Sequence, residues 1–186
     1  MTGSRSFKWV GAILLSTGAV VGSAQAQHTG GYAGQQERSI KALSDEEVKQ
    51  YLAGGGMGYA KAAELNHYPG PMHVLELADQ LGLSAEQRSQ TMLLMNQHKA
   101  EARDLGKKVV AAERALDEVF KSGRANQTEL AQKVSAASVA QGEFRLSHLD
   151  THVRMRALLS DAQVARYDML RGYASGARQG SHDHRH

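Results

Sequence analysis

Apolar residues in the middle of this chain recur at alternating steps of three and four. One run is Met95, His98, Ala102, Leu105, Val109, Ala112, Leu116 and Val119. After Ser122-Gly123-Arg124-Ala125 a second runs Leu130, Val134, Ala137, Gln141, Phe144, His148, Thr151, Met155 and Leu158. This spacing places one stripe along an α-helix, so both segments are read as long amphipathic helices. At 1.5 Å per residue, a helix from Ser84 to Lys121 is about 60 Å long, too long for a compact globule of this size. The expectation is an elongated antiparallel hairpin folded at Gly123. In that register Val119 faces Leu130, Ala112 faces Ala137, Leu105 faces Phe144, and His98 lies opposite Thr151 and His152.

Polar residues punctuate the helix starts. The pentad Leu-Ser-x-x-Gln occurs at Leu83-Ser84-Ala85-Glu86-Gln87 and again at Leu159-Ser160-Asp161-Ala162-Gln163. Ser84 and Ser160 are expected at N-caps, accepting from the amide three residues on, while Gln87 and Gln163 reach back to the cap amide. Ser44-Asp45-Glu46-Glu47 and Asn126-Gln127-Thr128-Glu129 mark two further starts. The Ser44 helix is expected to stop at Gly54-Gly55-Gly56, a hinge with neither the Walker pattern nor the strand context of a nucleotide loop. Met57 to His67 is read as helical, and Pro71 opens another helix that runs to Leu81 and ends at Gly82. The fold class is all-α: an elongated antiparallel helical hairpin with flanking shorter helices. Its Ala-rich stripes need cover from the Ser160 helix, the Pro71 helix or a second subunit, and a homodimer is the default.

The termini change the picture. Arg5 and Lys8 precede an apolar stretch from Trp9 to Val21 and the small-x-small site Ala24-Gln25-Ala26, so residues 1–26 read as a cleaved signal peptide. That stretch, about 13 residues, is shorter than the roughly 20 a membrane span needs, so no stable span is expected after cleavage. Residues 27–42 read as a flexible leader, 43–174 as the helical domain, and 175–186 as a flexible tail containing His182, His184 and His186. Removing residues 1–26 takes away two basic residues and lowers the formal net charge from +3 to +1, so the basic pI does not imply a nucleic-acid partner. Cysteine is absent, so stability comes without disulfides. Met92 and Met95 fall on the apolar stripe and read as core filler. Glu101, Arg103, Asp104, Glu113 and Arg114 read as helix-surface charges. No nucleophile, base or nucleotide-loop arrangement points to an enzyme.

The two Leu-Ser-x-x-Gln boxes, the helical hairpin and the export signal together resemble the Spy/CpxP family of periplasmic proteins, whose hallmark is a repeated Leu-Thr-x-x-Gln. Ser84 and Ser160 stand where the family has Thr and keep the capping hydroxyl. The resemblance covers roughly residues 71–173. It implies a periplasmic, curved α-helical dimer that acts either as an ATP-independent chaperone for unfolded or misfolded envelope proteins or, as in ZraP-like and CnrX-like members, as a binder or sensor of divalent metals. A sensor-kinase domain is a further partner it implies. CnrX-like members carry His-x-x-x-His in their first helix, a pattern His67 and His73 do not match.

His148 and His152, four apart, lie on one helix face, and the register brings His98 near them. His98, His148 and His152, with Met155 as a soft ligand, are the candidate metal site, suited to Zn, Ni, Co or Cu. No cofactor is required for the leading reading, a holdase. Met92, Leu94 and Tyr167 are its candidate exposed client-binding residues.

Overall fold

The structure is a computed structural model and describes residues 31–174. The signal segment and the His-containing tail lie outside the described residues. The chain divides between Ala33 and Gly34, and every helix among the described residues belongs to the unit that begins at Gly34. Its helices are α1 (Asp45–Ala53), α2 (Lys61–Glu64), α3 (Pro71–Glu76), α4 (Ala85–Lys121), α5 (Gln127–Ala157) and α6 (Asp161–Arg171). No strand occurs among the described residues, and none of these helices is long and apolar enough to cross a membrane. The protein is all-α.

The capping chemistry sets most of the starts. Ser44, Ser84 and Ser160 each close a reciprocal box with the residue three on, and the Asn126 side chain accepts from the Glu129 amide. Gly54 ends α1 in the left-handed region at φ 72°, where a Cβ is disfavoured. Pro71 sits at the first position of α3, where its missing N–H costs nothing.

Two segments are less helical than their patterns suggest. Between Met57 and His67 only Lys61–Glu64 is α-helical, because Met57, Gly58 and His67 all have positive φ (46°, 81° and 70°) and interrupt the ladder. The segment from Pro71 stops at Glu76 and continues as turns to Gly82, which takes φ 61°.

The two long helices lie against each other, and their polar contacts pair rising numbers on α4 with falling numbers on α5. Gln97 accepts from Arg154, His98 meets His148, Lys108 lies 4.0 Å from Glu143, and Glu113 accepts from Gln141. Glu113, read as a surface charge, is buried at 8 % exposure, with its carboxylate held by the Gln141 amide at 2.6 Å. Val134, read as a seam residue, is exposed.

The core forms two apolar clusters. One gathers Val74, Leu83, Leu94, Met155, Leu159 and Tyr167 where α3, α4, α5 and α6 meet. The other gathers Ile40, Tyr51, Ala102, Val109, Ala140 and Phe144 further along the long helices. Ile40 lies inside the segment read as leader, yet it is fully buried, and Lys121 Nζ donates to the neighbouring Ser39 carbonyl. The second cluster is closed by shape. A Cβ on Gly106 would stand 1.8 Å from the Tyr51 carbonyl oxygen, so only glycine lets α1 seat on α4 there.

Candidate functional site

Between the two clusters the α4–α5 seam turns polar. His98 follows Leu94 and precedes Ala102 on α4, while Ser147, His148 and Thr151 separate Phe144 from Met155 on α5. His98 Nε2 lies 3.1 Å from His148 Nδ1, with the rings edge to face. Such a contact needs one nitrogen to donate and the other to accept. Burial lowers the pKa of both imidazoles, since charging either one would desolvate a cation, and for His148 the nearby His98 and His152 add to the effect. His148 is pushed down to about 4. The far nitrogens, His98 Nδ1 and His148 Nε2, are buried without a hydrogen-bond partner. The hydroxyls beside them turn back to their own helix, Ser147 donating to the Phe144 carbonyl and Thr151 to that of Ser147.

The other two candidate ligands are placed differently. His152 Nδ1 lies 2.7 Å from the Tyr68 carbonyl oxygen. A carbonyl only accepts, so Nδ1 carries a proton, and in the neutral imidazole Nε2 is then the lone-pair nitrogen. Met155 is fully buried in the first cluster with Val74 and Leu159. His98 therefore meets His148, one turn from the expected partners Thr151 and His152. Among the described residues, no three His, Asp or Glu side chains are gathered so as to hold a metal ion.

The two Leu-Ser-x-x-Gln boxes are joined. Gln87 Nε2 donates to Gln163 Oε1 at 2.9 Å, and Gln163 Nε2 donates to Gln87 Oε1 at 3.0 Å. Each amide oxygen also accepts from its own cap amide, on Ser84 or Ser160. The remaining amide protons reach the Leu158 and Leu81 carbonyls. Leu83 and Leu159, which open the boxes, are buried beside this pair. The caps thus also lock the starts of α4 and α6 together, and glutamine, with one acceptor and two donors, is the side chain that can do so.

A second polar cluster, anchored on Glu64, escapes sequence reasoning. Glu64 Oε1 accepts from Tyr167 at 2.5 Å and from Tyr173 at 3.3 Å, and Oε2 accepts from the Gly70 amide at 3.1 Å. His152 Nδ1 lies 3.6 Å from the same carboxylate, and His67 pairs with Asp168 at 2.6 Å. Burial first, and then Glu64, raises the Tyr167 pKa, so the phenol stays a donor. These bonds tie the short α2 to α6 and to the residues just after it, about a hundred positions away in sequence. Nothing local in the chain signals them.

Apolar surface remains bare near the start of α4. Met92 and Leu93 are 55 % and 59 % exposed. A shallow groove of about 190 Å³ runs beside them, lined by Leu93, Leu94 and Leu158 with Gln90, Gln97 and Arg154. Another, of about 260 Å³, is lined by Met72, Leu75, Met92 and Met95 with Asn96 and Lys99. Of the three residues read as exposed, Met92 is so. Leu94 is buried at 4 % and Tyr167 at 0 %, because both point into the first cluster. Met92 is accordingly surface, not core filler.

Comparison with protein-family models, curated proteins and solved structures finds no match.

Proposed function

We propose that this protein is a periplasmic, ATP-independent holdase of the Spy/CpxP type, working as a curved dimer built on an elongated antiparallel α4–α5 hairpin. The observation that carries the reading is the pair of shallow, Met- and Leu-lined grooves flanking Met92 and Leu93. Thioether side chains adapt to varied apolar segments, and open grooves bury such segments only partly, which favours reversible capture. Gln90, Gln97, Arg154, Asn96 and Lys99 on the groove rims keep a loaded complex hydrated. The joined Gln87–Gln163 boxes hold this surface on a fixed frame.

The test is light scattering from a denatured client diluted out of guanidinium, with the protein added at near-stoichiometric ratio in chelator and without nucleotide. Suppressed scattering supports the holdase. Unsuppressed scattering rejects metal-independent holding.

A second reading, divalent-metal binding, is favoured by the His98–His148 contact and its two buried, unpartnered ring nitrogens. One of the two far nitrogens carries a proton while the rings touch, and its loss to a divalent metal would leave two borderline nitrogen donors from facing helices, suited to Zn, Ni, Co or Cu. His152 Nε2, with its Nδ1 proton fixed on Tyr68, has the tautomer a metal ligand needs. Titration calorimetry with zinc chloride on the wild type and on His98→Asn/His148→Asn decides it. Equal affinity in the two proteins refutes the site.

A further inference from the structure

Helix α5 is apolar on two opposite sides, and α4 covers only one. The covered side carries Ala140, Phe144, His148, Thr151 and Met155. On the reverse side Val139, Leu146 and Val153 repeat every seven residues and are 57 %, 65 % and 54 % exposed. Gly142 and the half-buried Leu149 fall between them, so the steps run three, four, three, four, which is the spacing of a two-stranded coiled-coil seam. Among the described residues nothing covers Val139, Leu146 and Val153, and a second apolar stripe on one helix is unusual for a face left in water.

Gly142 adds an independent observation. Glycine inside a helix costs about 1 kcal/mol relative to alanine. At Gly106 the close approach of Tyr51 explains that cost, but a Cβ at Gly142 would meet nothing within 4 Å. The open space at Gly142 leaves room for a second helix to cross closely there.

The charges beside the stripe select the occupant and its direction. With Val139, Leu146 and Val153 as a positions, Glu143 and Asp150 take e, and Arg145 takes g. In a parallel pair each g residue faces the e residue five positions on in its partner, which sets Arg145 against Asp150 in both directions. In an antiparallel pair e faces e, and Glu143 would face Asp150, acid against acid. Arg145 has no acidic partner among the described residues, and Asp150 and Glu143 hold only pairs at 4.0 Å, with Arg154 and Lys108.

We infer that the outer face of α5 is the self-association surface of this protein, joining two copies through parallel α5 helices in register about Gly142, Leu146 and Leu149. The inference deepens the dimer reading above and does not depend on holdase activity. Two heptads make a short seam, so the pairing is reversible and concentration-dependent.

The test uses the full chain, whose lack of cysteine gives a clean background. Sedimentation equilibrium of the wild type should show a twofold rise in mass with concentration, and Leu146→Glu, at an exposed position, should abolish it. Arg145→Asp turns two symmetry-related attractions into repulsions and should weaken association about tenfold; adding Asp150→Arg should restore it. Under mild oxidation Val139→Cys and Val153→Cys should each cross-link to itself. Cross-linking only in a mixture of the two would mean antiparallel helices and overturn the inference. A dimer that persists in Leu146→Glu would show that copies pair through another surface, which overturns this inference and leaves the dimer reading standing. A monomer at every concentration would end both.

Discussion

The two apolar clusters are closed by different means. Around Tyr51 and Phe144 the closure is steric: the end of α1 rests on Gly106 with no room for a methyl group, and the Tyr51 and Tyr59 rings pack edge-on against Phe144. Around Leu94, Met155 and Tyr167 the closure is polar, through the Gln87–Gln163 amide pair and the phenols on Glu64. The polar-locked end also leaves Met92 and Leu93 bare on its outer side. A frame held by directed hydrogen bonds can stay rigid without burying every apolar side chain beside it, and that leaves apolar surface free for a ligand. The His98–His148 contact lies at the border between the two regimes.

The sharpest way to break this comparison is at the steric end. Gly106→Leu should lower unfolding free energy by at least about 3 kcal/mol, since the displaced group is backbone and α1 cannot keep its seat. Denaturant melts report it, and a loss under about 1 kcal/mol would mean that α1 does not pack as described. At the polar end Gln87→Glu removes both amide protons and places a carboxylate against the Gln163 oxygen and the Leu158 carbonyl. It should cost about 2 kcal/mol, and restoring the donors with the wild-type amide is the only conservative remedy.

The border is tested by acid. His148 in the unfolded chain takes a proton near its ordinary value of 6.5 but in the folded protein only near 4, so the unfolded state binds more protons between those values. Stability is full above about pH 6.5 and falls as pH drops towards 4, by up to roughly 3 kcal/mol for this residue. His148→Gln should flatten that slope, and NMR titration of the wild-type imidazole should give a midpoint near 4. A midpoint at 6.5 would contradict the buried contact. The smallest stability effect belongs to Met92→Gln and Leu93→Gln, within about 0.5 kcal/mol of wild type, because both side chains already face water.

How much of this was legible in the chain follows from the range of each interaction. The boxes at Ser44, Ser84 and Ser160 are local chemistry, so the starts of α1, α4 and α6 could be read directly. Periodicity located the two long helices and brought His98 and His148 towards one seam, but it could not choose between neighbouring turns, and the contact falls on His148 instead of Thr151 and His152. Gly106 carried a faint signal, a lone glycine inside a helical pattern, which points to close backbone approach without naming Tyr51. Glu64 carried none, because its phenol partners lie about a hundred residues away. Leu94 and Tyr167 were misplaced on the surface for a related reason: the stripe alone does not tell which edge α6 and α3 cover.

The central claim is that the bare face at Met92 and Leu93, held by the polar-locked end, is the surface that captures clients. It is tested most directly by light scattering from an aggregating denatured client, in chelator, comparing wild type with Met92→Gln/Leu93→Gln at equal concentration and matched stability. The account predicts suppression by the wild type and loss of most of that suppression in the double variant. Equal suppression by both proteins, or none by the wild type, would contradict it.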